Sequence, residues 1–533
     1  VSSAATTSAR LLRFLEAILL AAAFALATTQ SPLYYSNQNQ YLLHGLARGG
    51  WGQLQNDWLA QTRDPTPVFT ALVSITYRKL GEDAFQVLYF LLMMVYFLSV
   101  RSLVNRLPQC PNTRAFRLAF AAGFLATHAA LLRVASVRLT GVDYPWNLQA
   151  GVAGQYLLGP GLQPSVFGIL LMTALAAFVG GRPTLAALLA ASTCAFHSTY
   201  LLPASLLILG FIVETLRTNP QGGPPAFRML LATCAIFLPV CVYILYTFGP
   251  TNPNLFEEAQ QILAEVRIPH HCDIARWFDW VAGLQLVWAA LGLVLLRRTP
   301  LFVVLLVAAS GGVVFTLAQY FSANPTLALL FPWRISALLV PVATAVIVMK
   351  LVALSPASRG LEWAASAIVL AVAGAGAWIM VERVGYRSGD EEQALYDFVR
   401  THAKPGDVYL LPIRIPPVGR GRGAMSASFT APPRSGSNLI PVDLQRFRLH
   451  TGMPIYVDFK SVPYADVEVL TWLQRVQQCE EWYGGNWSRV TVEDELKRAG
   501  ITCVVTPASR PLAAPYLELT HSDPAYLVYR VKS

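Results

Sequence analysis

The sequence predicts a polytopic α-helical membrane protein of about eleven spans that carries a small α/β domain at its C-terminal end. Three observations lead there. Of 533 residues, 54% are hydrophobic and only 13% are charged, about half the charge of an ordinary soluble domain at ~25%. Apolar runs long enough to cross a lipid hydrocarbon core recur through the first 381 residues. The last part, 382–533, has the mixed composition of a soluble domain. The mean hydropathy of +0.46 averages over these two unlike parts.

The apolar runs lie at Phe14–Thr28, Ala84–Val104, Phe116–Val134, Pro164–Gly180, Thr184–Ser198 and Tyr200–Leu216, then at Met229–Phe248, Trp280–Leu296, Leu301–Leu317, Ile335–Lys350 and Leu361–Val381. Arg10 and Arg13 precede the first run, which ends in Ala25-Leu26-Ala27 and resembles a cleavable signal peptide. It is taken here as an uncleaved anchor. Placing the N-terminus inside makes every inner turn basic: Arg101, Arg106, Arg114, Arg117, Arg182, Arg217, Arg228, Arg297, Arg298, Lys350 and Arg359. That is the distribution the positive-inside rule requires. The C-terminal domain then falls outside, with three long outer loops at 29–83, 135–163 and 249–279. Val68–Leu80 is apolar but short and ends in Arg78-Lys79, so it reads as an interfacial helix.

A formal net charge of +10 could signal nucleic acid. The arginines, however, are scattered at the ends of apolar runs, where they meet lipid headgroups, and no basic tract tracks a phosphate backbone. Nucleic acid is therefore excluded as a partner, and membrane lipid is expected. The seven cysteines show no metal-ligand spacing; a Cys479–Cys503 disulfide is left open. In the C-terminal domain, helices are expected at Glu391–His402, Ala465–Glu481 and Val492–Ala499. Strands are expected at Val408–Pro412, Pro454–Asp458, Ile501–Thr506, Tyr516–Thr520 and Ala525–Val531, giving a three-layer α/β unit. The Gly/Pro/Arg/Ser-rich stretch Ile413–Asn438 reads as a loop. No P-loop or G-x-G-x-x-G supports nucleotide binding.

The first outer loop carries the densest chemistry: Asn37-Gln38-Asn39-Gln40-Tyr41-Leu42-Leu43-His44-Gly45, then Gln55-Asn56-Asp57-Trp58, then Thr62-Arg63-Asp64-Pro65-Thr66-Pro67. Amides and carboxylates can bond sugar hydroxyls, aromatic faces can pack on a sugar ring, and a carboxylate can take an acceptor proton. Asp57 and Asp64 are the candidate bases, with His44, Asn56 and Trp58 as substrate contacts. Both acids could equally be caps, since Asp64 before Pro65 suits a helix start. In the second loop, Asp143 either pairs with Arg138 or adds a carboxylate to the same cleft. His197, at the end of a run, is either a functional group at membrane depth or a hydrogen-bonded terminus. His270-His271-Cys272-Asp273 reads as a solvated loop rather than a metal cluster. Arg334, at the outer end of a span beside Trp333, suits bidentate phosphate binding or an interfacial anchor.

This arrangement resembles the GT-C glycosyltransferase superfamily in its inside N-terminus, its span number, its elaborate first loop with Asp57 and Asp64, and its outer C-terminal domain. It also resembles a group of bacterial polytopic proteins with an Asn-Gln-Asn…Leu-His-Gly…Asp-Trp…Asp-Pro-x-Pro first loop and a stretch like Arg448–Pro463, including Thr451-Gly452 and Val457-Asp458-Phe459-Lys460-Ser461. The resemblance implies glycosyl transfer at the outer face of a bacterial inner membrane from a polyprenyl-phosphate sugar. Asp57 or Asp64 would be the base and Arg334 the phosphate contact; Arg138, Asp143 and His197 are candidate substrate contacts from their places in the loops alone. The first loop has no adjacent acidic pair, so a divalent metal has no support and no cofactor is assigned. A non-catalytic subunit that scaffolds partner subunits in a larger complex is the second expectation. A transporter or flippase is the third, because the spans lack central charges and an inverted repeat.

Overall fold

A computed structural model describes residues 2–108, 110–384, 390–413 and 444–532, with side chains from residue 10 onward. Most of the Arg-rich stretch expected as a loop, from Arg414 through Arg434, lies outside the described residues. Among those described, seven helices are long and apolar enough to cross a membrane: Arg10–Thr28, Ala84–Val104, Ser198–Thr218, Gly223–Phe248, Pro300–Ser322, Pro325–Ala353 and Arg359–Val381. A bent pair, Arg114–His128 with Ala130–Thr140, and three shorter apolar helices, Pro164–Val179, Pro183–Phe196 and Trp280–Leu295, occupy the remaining expected positions. All eleven apolar runs are thus helical, although the third is not one straight span. It bends by 46° where Ala129 leaves the helical region for φ −66°, ψ 127°.

Helix ends follow local chemistry. Thr113 caps Phe116 N and Ser358 caps Leu361 N, each filling an orphan donor of a first turn. Proline at the first turn opens Pro183–Phe196 and Pro300–Ser322, where its missing N–H costs nothing. Burial sorts the bundle: 78% of the Pro325–Ala353 window is inside the molecule, against 11% for Gly223–Phe248. The former is the central post. The latter presents Leu231, Leu238, Val242 and Leu245 outward, as a lipid-facing helix must. Gly376 packs directly on the backbone of Leu26 and Ala27, leaving no room for a Cβ, the close approach small residues allow between spans.

The C-terminal part forms a four-stranded sheet, β1 (Tyr409–Leu410), β2 (Cys503–Pro507), β3 (Leu517–Ser522) and β4 (Tyr526–Val531), in the order β1-β2-β4-β3. β1 runs parallel to β2, and β4 is antiparallel to both its neighbours. Alternation splits its side chains. Cys503, Val505, Tyr526 and Val528 pack with Leu395, Tyr396, Val399 and Phe447. Val504, Leu527 and Tyr529 pack with Val469, Trp472 and Val476 on the other face. Helices therefore cover both faces. This split also answers the disulfide: all seven cysteines are free, and Cys479 and Cys503 belong to cores on opposite faces of the sheet. The segment expected as a strand at Pro454–Asp458 makes only the bridge Tyr409↔Ile455, through Tyr409 N to Pro454 O and Tyr456 N to Tyr409 O; Ile455 N points the other way, to Asp57 of the first loop.

Candidate functional site

Two loops of the helical part reach into the C-terminal part. From the 249–279 loop, Ala259, Ile262 and Leu263 enter the core beneath the sheet. From the first loop, Trp51 Nε1 donates to Leu449 O at 2.8 Å and Gln53 N to Gly452 O at 2.7 Å. Gly52 and Gly452, both at positive φ, touch backbone to backbone where a Cβ on Gly52 would collide. Leu449 in turn joins the main core of the bundle.

Asp57 lies at the centre of this contact and is 1% exposed. Its Oδ1 accepts Leu59 N at 3.0 Å and Ala60 N at 3.4 Å. Its Oδ2 accepts Ile455 N at 3.0 Å and sits 3.3 Å from Arg448 Nε. Asn56 beside it is exposed. Trp58 is half-buried, its ring face covered at 4.4 Å by the guanidinium of Arg475, which also lies over Tyr456 at 4.7 Å. Asp64 is also buried. Its Oδ1 accepts Thr66 N and Thr70 Oγ1, each at 3.0 Å, tying down the start of the helix Pro67–Leu80. Its Oδ2 faces Arg48 Nη2 at 3.0 Å. His44 Nε2 donates to Thr62 O at 3.2 Å; burial lowers its pKa, opposed by the charge of Asp64.

Asp143 is paired, but with Arg133 rather than Arg138: Arg133 Nε and Nη2 donate to Asp143 Oδ2 at 2.9 and 2.7 Å. Five residues along a helix turn the side chain through about 140°, which puts Arg133 on the buried side and Arg138 on the exposed one. Asp143 Oδ1 caps Trp146 N at 3.1 Å. The run His270–Asp273 is not a solvated loop. Cys272 is 3% exposed, and the His271 ring bonds Ala153 O at 2.6 Å. Among the described residues no three His, Cys, Asp or Glu side chains are grouped to hold a metal.

The polar centre of the loop-rich face lies around Arg334, His197 and Tyr41. Arg334 Nε donates to Gln155 Oε1 at 2.7 Å and Nη1 donates to Thr199 Oγ1. With its oxygen accepting from Arg334, Thr199 turns its own proton to His197 Nδ1, 2.8 Å away. Thr199 N also points at Nδ1. The ring proton therefore sits on Nε2, facing Tyr41 Oη at 3.3 Å. Tyr41 Oη lies 3.5 Å from Tyr464 Oη, which accepts Gln40 Nε2 at 2.9 Å. Burial raises the Tyr41 hydroxyl, against the pull of Arg334 and Arg267.

Two further cations close this centre. Arg267 is the last residue of a π-helical turn, Ile262–Arg267, a rare geometry that concentrates at functional positions. Its guanidinium donates to the carbonyl of Lys460. Lys460 Nζ donates to Ser36 Oγ at 2.7 Å, and burial next to Arg267 brings its pKa down to about 7. The neighbouring carboxylate, Asp458, has one oxygen on Lys460 N and the other on Ser461 Oγ, both at 2.7 Å. Among the described residues none of Arg267, Arg334 or Lys460 forms an ion pair. Two arginines and a lysine with a lowered pKa thus make their hydrogen bonds to neutral oxygens, with the carboxylate of Asp458 beside Lys460. Uncompensated charge in such a place is costly, and a bound anion would offset it.

Of the site residues expected from sequence, Arg334 and His197 meet in this centre. Asp57 and Asp64 sit in their own donor-rich pockets, and Asp143 belongs to a separate ion pair. Arg267, Lys460, Tyr41 and Tyr464 were not singled out. The signal for Lys460 was its place in the quoted stretch Val457–Ser461, and for Tyr41 its place in the amide-rich run of the first loop.

Residues 430–479 match a family model described as a domain of unknown function, DUF6798, which includes Asp458, Lys460 and Tyr464. No curated protein matches the chain. Among solved structures, the crystal structure of ArnT from Cupriavidus metallidurans bound to undecaprenyl phosphate is similar over 98% of each chain, at 12% identity and a TM-score of 0.44.

Proposed function

We propose that the protein is an integral membrane glycosyltransferase that takes its sugar from a polyprenyl-phosphate-linked donor. The reaction would occur at the outer face of a bacterial inner membrane, the side of the C-terminal domain. One observation carries the reading: among the described residues the cations Arg267, Arg334 and Lys460 form no ion pair, and each spends its hydrogen bonds on neutral oxygens. Guanidinium forks suit phosphoryl oxygens, and the centre lies at the mouth of the spans Ser198–Thr218 and Pro325–Ala353. A lipid phosphate held there keeps its tail in the bilayer. Tyr41, Tyr464 and Gln40 offer the hydroxyls and amide that a sugar needs.

As the sugar leaves its phosphate, negative charge grows on the phosphoryl oxygens, and fixed cations at that point stabilise the transition state more than the ground state. The acceptor hydroxyl must lose a proton. Asp64 is proposed as its acceptor, since its Oδ2 meets only Arg48. Asp57, with four donors around it, is assigned to positioning. The test is native mass spectrometry of the protein taken from its own membrane. Co-purified polyprenyl phosphate that is lost on Arg334→Ala is the expected result. Equal lipid occupancy in Arg334→Ala and in the triple variant with Arg267→Ala and Lys460→Ala would overturn the reading.

A further inference from the structure

We infer that Arg101, Arg114 and Arg117, which converge on Glu16 at the opposite face of the bundle, form a second anion site that takes the headgroup of an acidic phospholipid. The inference does not depend on the function proposed above. Glu16 lies toward the start of the span Arg10–Thr28, whose other end leads into the first loop and so to the C-terminal part. Arg101 comes from the last turn of Ala84–Val104, and Arg114 and Arg117 from the start of Arg114–His128. Arg117 Nε and Nη2 donate to the two Glu16 oxygens at 2.7 and 3.3 Å. Arg114 Nε stands 3.7 Å from Glu16 Oε2, and its Nη1 stands 3.8 Å from Glu362 Oε2 at the start of Arg359–Val381. Arg101 Nη2 stands 3.9 Å from Glu16 Oε1.

Arg101 is the cation left over. The fork of Arg117 already occupies both oxygens of Glu16. The Arg101 side chain is 15% exposed, its buried Nε meets no acceptor, and among the described residues it donates no hydrogen bond. Three guanidiniums thus stand within 4 Å of one carboxylate, and the second carboxylate, Glu362, touches only Arg114 among them. Guanidinium keeps its proton in proteins, so the surplus of one positive charge does not vary with titration. Helix direction adds to it. Arg114 and Arg117 stand at the positive end of a helix dipole, where acids are favoured, and that helix has no acid in its first turn. An anion bound here answers both the surplus and the dipole.

The surroundings select a lipid over a free phosphate. Leu12, Leu15 and Leu19 are exposed on the helix that carries Glu16. Their spacing of three and four places them in one stripe, which runs about 10 Å along the helix away from the arginines, toward the middle of the span. Trp363, exposed beside Glu362, is the kind of residue that marks headgroup depth. A phospholipid uses both features, with its phosphate at the arginines and an acyl chain on the leucines, whereas a soluble anion uses only the first. Arg114, 65% exposed, leaves the cluster open to an arriving headgroup. A phosphodiester offers two free oxygens to guanidinium forks. Phosphatidylglycerol brings the single net negative charge that matches the surplus. A zwitterionic headgroup brings an ammonium as well, one more cation for a cluster already in excess.

The test is native mass spectrometry of the full-length protein in detergent, titrated with dioleoyl phosphatidylglycerol and with dioleoyl phosphatidylcholine. The first phosphatidylglycerol should bind at least ~10-fold more tightly, the worth of one charge-assisted contact. Arg101→Gln should lose that preference. Glu16→Gln, which retains an acceptor for Arg117 and raises the surplus, should strengthen it; a cluster that only holds the helices together would weaken in both variants. Arg334→Ala, on the other face, should leave the preference unchanged, which separates this site from the one proposed for the donor. If Arg101→Gln does not fold, Arg114→Gln removes the same charge from an exposed position. Equal binding of the two lipids, or a preference untouched by these arginine variants, overturns the inference. Displacement of phosphatidylglycerol by equimolar glycerophosphate overturns the lipid assignment in favour of a soluble anion. A dimer that disperses as phosphatidylglycerol is added overturns it as well, by placing a second copy of the chain on the leucine stripe.

Discussion

Replacing Asp57 by Asn separates a base from a pin. Asn has the shape of Asp but one acceptor oxygen instead of two. If that oxygen keeps Leu59 N and Ala60 N, the new NH2 group faces Ile455 N–H and Arg448 Nε, donor against donor. If the amide flips, the first-loop donors are abandoned instead. In either orientation two buried donors lose their acceptor, and Arg448, 2% exposed, loses its counter-charge. Breaking a buried pair from one side costs about 3–5 kcal/mol, and lost hydrogen bonds to buried donors add about 1–3 kcal/mol each. The penalty falls on the contact between the first loop and Leu449–Ile455, so local opening reports it better than whole-protein melting, which is not two-state in a chain of this kind. Hydrogen exchange on Trp51–Leu59 and on Gly452–Ile455 should accelerate together in Asp57→Asn. The reverse change, Arg448→Met, should cost less, because Asp57 retains three backbone N–H donors. Unchanged protection in Asp57→Asn with abolished turnover would refute the pin and make Asp57 the base.

Other expectations concern the anion centre and its neighbours. Arg267→Ala should weaken donor-lipid binding by about 10- to 150-fold, the range for a lost charge-assisted hydrogen bond, measured by competition with a labelled polyprenyl phosphate. Asp64→Asn should fold normally, since Asn keeps the acceptor for Thr66 N and Arg48 is exposed. It should lower turnover by about 10²- to 10⁴-fold, as loss of a general base does. Lys460, with a pKa brought down to about 7, sets a pH window. Anion affinity should be level below pH 7 and fall as the pH rises through it. The empty protein, which disfavours protonated Lys460, should gain stability from about pH 7 up to the unfolded value near 10.4, and Lys460→Met should flatten both profiles. Protease added to sealed, right-side-out spheroplasts should remove the C-terminal domain if the basic turns are inside; full protection would reverse the topology.

What was legible in the sequence depended on how local its cause was. Apolar length alone fixed the helical positions, because lipid tolerates no unsatisfied backbone. The bend at Ala129 was not visible, since no Pro or Gly marks it. The sheet is readable at β2, β3 and β4 from alternation, but Pro454–Asp458 meets a β1 of only two residues and stops at one bridge, while its outward Ile455 N finds an acceptor 398 residues away, in Asp57. Arg138 is nearer to Asp143 in the chain than Arg133, five residues against ten, and only the face of the helix selects the more distant partner.

The anion centre shows the same limit most sharply. It draws Tyr41 from the first loop, His197 and Thr199 from a turn between helices, Arg267 from a π-helical turn, Arg334 from the mouth of a span and Lys460 from the C-terminal part. No two of these groups form a motif along the chain, apart from His197 with Thr199. Their common property is a shortage of acid, which can be counted only after folding has brought them together. It also ties the two parts of the protein into one site. Lys460 reaches Ser36 only while the C-terminal part is docked, and Asp57 with Arg448 is the buried ion pair in that docking. A variant that loosens the pin without touching the cations, Asp57→Asn, should therefore weaken anion binding through Lys460 while Arg334 keeps its bonds to Gln155 and Thr199. Anion affinity unchanged by a loosened pin would mean that the bundle alone holds the ligand.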